Sequence, residues 1–191
     1  MTLPKDDAPA STAKSQEGIT AGIGELRGPK GDALASWSVT INRPHGDLYT
    51  FFHDFAHLPQ IMDNVDHVEV IDALRSHWVV KAPAGHLVEW DAIITEEKEG
   101  ELIAWTSIEG ADIAHAGRIT FQDAGARGTV VTATIAYHPP GGLLGKTIAK
   151  LFQREPEIQV RRDLRRFKQL METGEIATNA RTTKQFDEEM A

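Results

Sequence analysis

GTVVTATIAYHPPGG, residues Gly128 to Gly142, decides the fold. Val131, Ala133, Ile135 and Tyr137 occupy every second position, so one face of this segment is apolar and the reading is a strand. Pro139-Pro140 then removes two ladder donors, and Gly141-Gly142 permits a sharp change of direction, so the sheet must stop there. Beyond it the period changes. Val160, Leu164, Phe167 and Met171 stand at i, i+4, i+7 and i+11, the stripe of an amphipathic helix. Pro156 interrupts helical structure before that stripe, and Gly174 suits a C-terminal cap. The opposite face carries Arg161, Arg162, Arg165, Arg166 and Lys168, with Glu157 four residues before Arg161, and reads as solvated.

Upstream the same alternation runs from Val65 to His138, broken at Asp72 to Ser76, Pro83 to Gly85, Lys98 to Gly100, Glu109 to Ala111 and Asp123 to Gly128. Six consecutive strands follow. Before them, Trp37, Val39 and Ile41 mark a first strand, ended by Arg43-Pro44. Leu48, Phe51, Phe52 and Phe55 then recur at helical spacing, Leu58-Pro59 breaks the run, and a second short turn is expected over Pro59 to Met62. The order is strand, two short helices, six strands, long helix: an α+β fold in which a curved seven-stranded antiparallel sheet wraps around the C-terminal helix, the only long amphipathic element left to cover it.

Strong curvature leaves a gap between sheet and helix. The residues expected to face it are Trp78, Val80, Trp90, Ala92, Ile94, Ile113, His115, Ile119, Phe121, Val131, Ala133, Ile135 and Tyr137, closed over by Leu164 and Phe167 of the helix. Val88 and Gly117 share that face. A few polar groups among apolar walls is the usual make-up of a small-molecule pocket, although a filled core with two hydrogen-bonded polar groups fits the same pattern.

The 191 residues are 41% hydrophobic and 25% charged, enough to bury a sizeable core. The formal net charge of −8 argues against nucleic acid as a partner. With no cysteine there is no disulfide frame, thiol nucleophile or thiolate metal site. Residues 1–34 are polar and aperiodic and read as a flexible arm, 35–175 as the domain and 176–191 as a second flexible tail. No apolar run approaches the ~20 residues that span a bilayer, and the opening segment lacks an apolar signal core, so a cytoplasmic location is the default expectation.

The segments SVTINRPHGDLYTFFHDFAHLPQIM, SHWVVKAPAG, VEWDAIITEEKEGELIAWTS, AGRITF, GTVVTATIAYHPPGG and DLRRFKQLMETGEI, taken in this order from about Ser36 to Ile176, resemble the SRPBCC or START-like superfamily. The resemblance is to its polyketide cyclase/dehydrase and coenzyme Q-binding branch. It implies the helix-grip fold and a ligand cavity between sheet and helix. Ligands across the superfamily include lipids, isoprenoid quinones and polyketides, and some members are enzymes or partner-binding modules, so activity must be argued from the site.

Among candidate chemical groups, His115 is the one best suited to proton transfer, because imidazole titrates near neutrality and its strand position aims it inward. Tyr137 beside it could polarise a carbonyl, and such a pair would serve an aldol-type cyclisation or dehydration. A buried His or Tyr more often serves a structural hydrogen bond. His53 and His57 lie at i and i+4, but without a third ligand or a nearby general base no metal site is expected. Glu89 and Asp91 share a strand face opposite the apolar set and should meet solvent. Trp78, Trp90 and Trp105 could stack on a flat ring or simply pack the core. The turns KAPAG and PPGGLLG could gate the cavity. Residues 143–154, with Leu143, Leu144, Ile148, Leu151 and Phe152 beside Lys146 and Lys150, form a basic amphipathic stretch that could touch a membrane surface or a protein partner, or pack on the sheet. The expectation carried forward is a noncatalytic binder of a hydrophobic small molecule, needing no cofactor. The alternatives are a cyclase/dehydratase using His115 and Tyr137, or an interaction module acting through the basic helix face.

Overall fold

Alternation becomes strand wherever the turn signals release it. The computed structural model describes residues 33–81, 85–109, 111, 113–138 and 156–177. Seven strands form one antiparallel sheet: β1 (Ala33–Ile41), β2 (Val65–Val70), β3 (Arg75–Lys81), β4 (Leu87–Lys98), β5 (Leu102–Ser107), β6 (Ala114–Asp123) and β7 (Thr129–His138). Their order is β1-β7-β6-β5-β4-β3-β2, so every neighbouring pair except β1–β7 is a local hairpin. The exception joins the first strand to the last, with Trp37 opposite Ala133 and Val39 opposite Val131.

Helix α1 (His45–His53) follows β1, and helix α2 (Pro156–Thr173) follows the sheet. Between α1 and β2 the chain makes a 3-10 turn over Phe55–Gln60, earlier than the Pro59 to Met62 expected from sequence. Pro59 is tolerated inside it because the turn's bonds are donated by His57 to Asp54 and by Ile61 to Leu58, leaving the proline nitrogen no bond to make. The Asp54 carboxylate caps the turn by accepting from the Ala56 amide at 3.1 Å. Pro156 stands at the start of α2, where its missing N–H costs nothing. Gly174 closes that helix as expected, at φ +79° with its amide donating to Leu170.

The sheet curls, and register irregularities at Val65/His67 and Ile94/Glu96 help bend it. In a flat sheet β3 and β5 would stand about 9.6 Å apart, yet the Trp78 and Trp105 rings lie at 6.3 Å on the concave side. Into that concavity α1 delivers Tyr49 and Phe52, the 3-10 turn delivers Phe55 and Leu58, and α2 delivers Val160, Leu164 and Phe167.

The basic face of α2 is less solvated than its sequence suggests. The Arg161 guanidinium lies 5.0 Å from the Trp37 ring centroid. Arg166 pairs with Asp63 at 2.9 Å and donates to the Gln60 carbonyl. Lys168 donates to the Thr40 carbonyl and pairs with Glu172, which itself accepts from the Asn42 amide. These residues fasten α2 to β1 and to the loop before β2, while Arg162 and Arg165 remain exposed. Among the described residues no helix is long and apolar enough to cross a membrane.

Candidate functional site

The concavity is solid at one end and open at the other. Phe52 meets Phe121 at 6.4 Å and Phe167 at 5.9 Å, and Tyr49 meets Phe121 at 6.0 Å, so α1 plugs the half of the sheet nearest itself. The other half holds a cavity of about 90 Å³. Its floor is built by the strands: Trp78 and Val80 from β3, Trp90 from β4, Trp105 from β5, His115 from β6, Ala133 and Ile135 from β7. Gln159, Val160, Asp163 and Leu164 of α2 form the roof, and Ile61, Met62, Asn64 and Val65 with Phe52 complete the wall.

Six of the residues expected from alternation therefore face the cavity, Trp78, Val80, Trp90, His115, Ala133 and Ile135, and so does Leu164 from the helical stripe. Ala92, Ile113, Ile119, Phe121, Val131 and Phe167 do not; they are buried in the core beside it, and Ile94 packs half-buried against the same cluster. The correction has a simple cause, since alternation assigns a face of the sheet but not which part of that face the helices fill. Tyr137 pairs with His115 along the backbone, but its side chain lies outside the described residues. The PPGGLLG segment, residues 143–154, the core of KAPAG, and residues 1–32 and 178–191 also lie outside them, whereas Ala33 and Leu34, read as part of the arm, open β1, and Ile176, read as part of the tail, packs against the core.

The three indoles form a row. Trp78 stacks on Trp90 at 6.2 Å and on Trp105 at 6.3 Å, both with interplanar angles of 7°. Direct pairing of Trp78 with Trp90 in the β3–β4 register sets the first contact, and sheet curl sets the second. The His115 ring closes the row, 5.5 Å from Trp90 and 6.5 Å from Trp105. Its strand is anchored by the Ser107 hydroxyl, which accepts from the His115 amide at 3.0 Å, and by the Thr106 hydroxyl, which donates to the His115 carbonyl at 3.2 Å.

Polar atoms on this wall are incompletely satisfied. The Trp78 indole N–H donates to Ser76 Oγ at 2.9 Å. Trp90 Nε1, Trp105 Nε1, His115 Nδ1 and Asn64 Oδ1 are buried and have no hydrogen-bond partner among the described residues. Burial holds the His115 imidazole down at about 4, so it is neutral at pH 7.

Asp163 is the functional group that sequence reading missed. Burial first, and then the Asp63 carboxylate, push its carboxyl up to about 7, against the pull of Arg166 and Arg162. A signal for it existed: position 163 falls on the shoulder of the Val160, Leu164, Phe167 stripe, where a carboxylate is out of place unless it faces something other than core.

These two shifts have opposite consequences for stability. His115 is held below its unfolded value of 6.5, so the stability it permits is lost as pH falls from 6.5 through about 4. Asp163 is held above its unfolded value of 3.8, so its contribution is fully present below 3.8 and lost as pH rises through about 7. Relative to wild type, Asp163→Asn should gain about 1–2 kcal/mol between pH 4 and 8, and His115→Gln should gain a similar amount between pH 7 and 4. Urea titrations across this range check both, and parallel curves for all three proteins would contradict the assignment.

The remaining polar candidates are used locally. His53 pairs with Glu97 at 2.9 Å and stacks on Tyr49, whose hydroxyl donates to Glu97, while His57 stacks on Phe51 and approaches Asp54 at 3.5 Å. The Tyr49 phenol is pushed up by burial and by its bond to Glu97. Glu89 and Asp91 lie on the outer face, as expected, on either side of His77, which bonds Asp91 at 2.6 Å. No cluster of three or more metal-ligating side chains occurs among the described residues.

Residues 41–165 match the family model described as polyketide cyclase / dehydrase and lipid transport. The chain belongs to this family. A curated relative, an uncharacterized 17.2 kDa protein of Streptomyces lincolnensis encoded between melC2 and rnhH, is 32% identical over 136 residues, covering 71% of this chain and 87% of the relative. A solved structure from Deinococcus radiodurans is 38% identical, with a TM-score of 0.61 over 75% of this chain and all of that one. The Zhui aromatase/cyclase from a Streptomyces species, 13% identical, shares the fold at a TM-score of 0.59 over 76% of this chain and 99% of its own.

Proposed function

We propose that the protein binds and carries a hydrophobic small molecule in the cavity between the sheet and α2, without catalysing its conversion. The observation that supports this reading is the row of three indoles, which borders a cavity that the surrounding side chains leave unfilled. Lipid, isoprenoid and polyketide-type molecules share the required apolar character. At about 90 Å³ the cavity is smaller than the roughly 300–1,000 Å³ of most ligand pockets, which favours a compact ring or one slender segment of a longer molecule.

The cyclase/dehydratase alternative needs a base beside the substrate carbonyl. His115 is neutral and therefore in the right form, but at about 4 it is a weak base for abstracting a proton at neutral pH. Its position supports hydrogen bonding more than proton transfer.

Native mass spectrometry of freshly purified protein, followed by organic extraction, tests the proposal. An apolar molecule should copurify with wild type and be lost from Ala133→Leu, which fills the cavity from β7 while leaving the circular dichroism spectrum unchanged. Wild-type protein that never carries such a molecule, and that fails to bind added aromatic or lipid probes, would defeat it.

A further inference from the structure

A second opening reaches the concave side of the sheet, beside the plug made by α1. A surface cleft of about 310 Å³ lies there between the end of α1, the β2–β3 hairpin and Ile94 of β4. Most of its lining is exposed, with Val70 and Leu74 at 49% each, but Phe55 and Ser76 are only 3% and 4% exposed and therefore form its floor. The hairpin that shapes it is held by the Asp72 carboxylate, which accepts from the Leu74 and Arg75 amides at 2.9 and 2.8 Å.

The floor of this cleft is also the back of the inner cavity. Phe55 meets Trp78 at 5.5 Å and Trp105 at 5.4 Å, both edge to face, so one ring borders the cleft and touches two indoles that line the cavity. Ser76, the other floor residue, accepts the Trp78 indole N–H. A single layer of side chains separates the two spaces. Phe55 is fixed in that layer: Phe52 abuts it at 6.4 Å, and the 3-10 turn that carries it is closed by the Asp54 cap and by the His57 amide donating to the Asp54 carbonyl at 2.9 Å. The ring leaves about 90 Å³ on its inner side and about 310 Å³ on its outer side.

We infer that Phe55 sets the length of molecule this protein accepts: it is the partition between cavity and cleft, and a smaller residue at this position joins them into one channel that opens at the β2–β3 hairpin. This rests on the carrier reading above and adds the residue that fixes its length limit. The outer half of the channel would be walled by Val70, Ala73, Leu74 and Ile94, apolar surface suited to a chain.

Isothermal titration of the full-length protein near neutral pH with the homologous 1-alkanols from butanol to decanol tests it. Wild-type affinity should climb about fourfold per methylene while the chain fills the cavity, and stop climbing once the chain meets Phe55. Phe55→Ala should carry the rise on through the longer alcohols, so that 1-decanol gains about tenfold or more over wild type, and Phe55→Leu should show a smaller gain in a better-filled core. Leu74→Asp, which places a charge in the cleft alone, should cancel the gain in the Phe55→Ala background and leave the series unchanged in the wild-type background. A wild-type series that rises without a break to decanol would overturn the inference while the carrier reading stood, and that result needs no variant to fold. A break at the same alcohol in wild type, Phe55→Ala and Phe55→Leu would overturn it too, as would a gain in Phe55→Ala that ignores Leu74→Asp. If no alcohol bound wild type, the carrier reading itself would fail and the inference with it.

Discussion

Phe167→Ala should lower the free energy of unfolding by about 3–5 kcal/mol, and the melting temperature by about 10 °C or more. Phe167 is fully buried, and its ring lies 5.4 Å from Phe51 and 5.9 Å from Phe52. It is the point at which α2 meets α1 over the sheet, so truncation removes apolar contact from both helices at once. Neighbouring rings cannot collapse into the gap, because Phe52 is also held by Phe55 and Trp105, at 6.4 and 6.1 Å. Urea denaturation monitored by tryptophan fluorescence would measure the loss. A cost below about 1 kcal/mol would mean that the helix does not depend on this contact.

Gly117→Ala should cost about 1–3 kcal/mol and abolish binding of any molecule that uses the indole row. Gly117 lies directly opposite Trp105 in the β5–β6 register. A Cβ added there would stand 2.2 Å from Cζ2 and 2.4 Å from Cε2 of the Trp105 ring, far inside contact distance. The indole is stacked on Trp78 and held 5.4 Å from Phe55, so any retreat must be into the cavity it borders, at the expense of bound ligand. The glycine is therefore required for its missing side chain. The double variant Gly117→Ala with Trp105→Leu should recover most of the stability and none of the binding that uses the indole row, so a double-mutant cycle in stability should show strong coupling. Additive costs would show that the two residues do not meet.

Much of this architecture is legible in the chain. The turn signals placed the strands, and the Val160 to Met171 stripe picked out the face of α2 that packs. His115 was identified as the inward polar group because its strand alternates cleanly through Gly117, Ile119 and Phe121. The cavity was harder to read, since Phe121, Val131 and Ile119 alternate as regularly as Ala133 and Ile135 do, yet Tyr49 and Phe52 of α1 fill the space beside Phe121. Asp163 was passed over because a helix wheel shows a carboxylate at the margin of a stripe and cannot show that the margin faces a cavity.

The sequence by itself determined which residues form strands and helices, which face of each is apolar and where the chain reverses, because these depend on spacing along the chain and on local turn chemistry. The tertiary structure alone decided that three tryptophans from three strands stack into one row, that two of their N–H groups and one imidazole nitrogen go unpaired, and that Asp163 is held near neutrality. Those properties arise from sheet curl and from exclusion of water by groups far apart in the chain, and no local pattern encodes them.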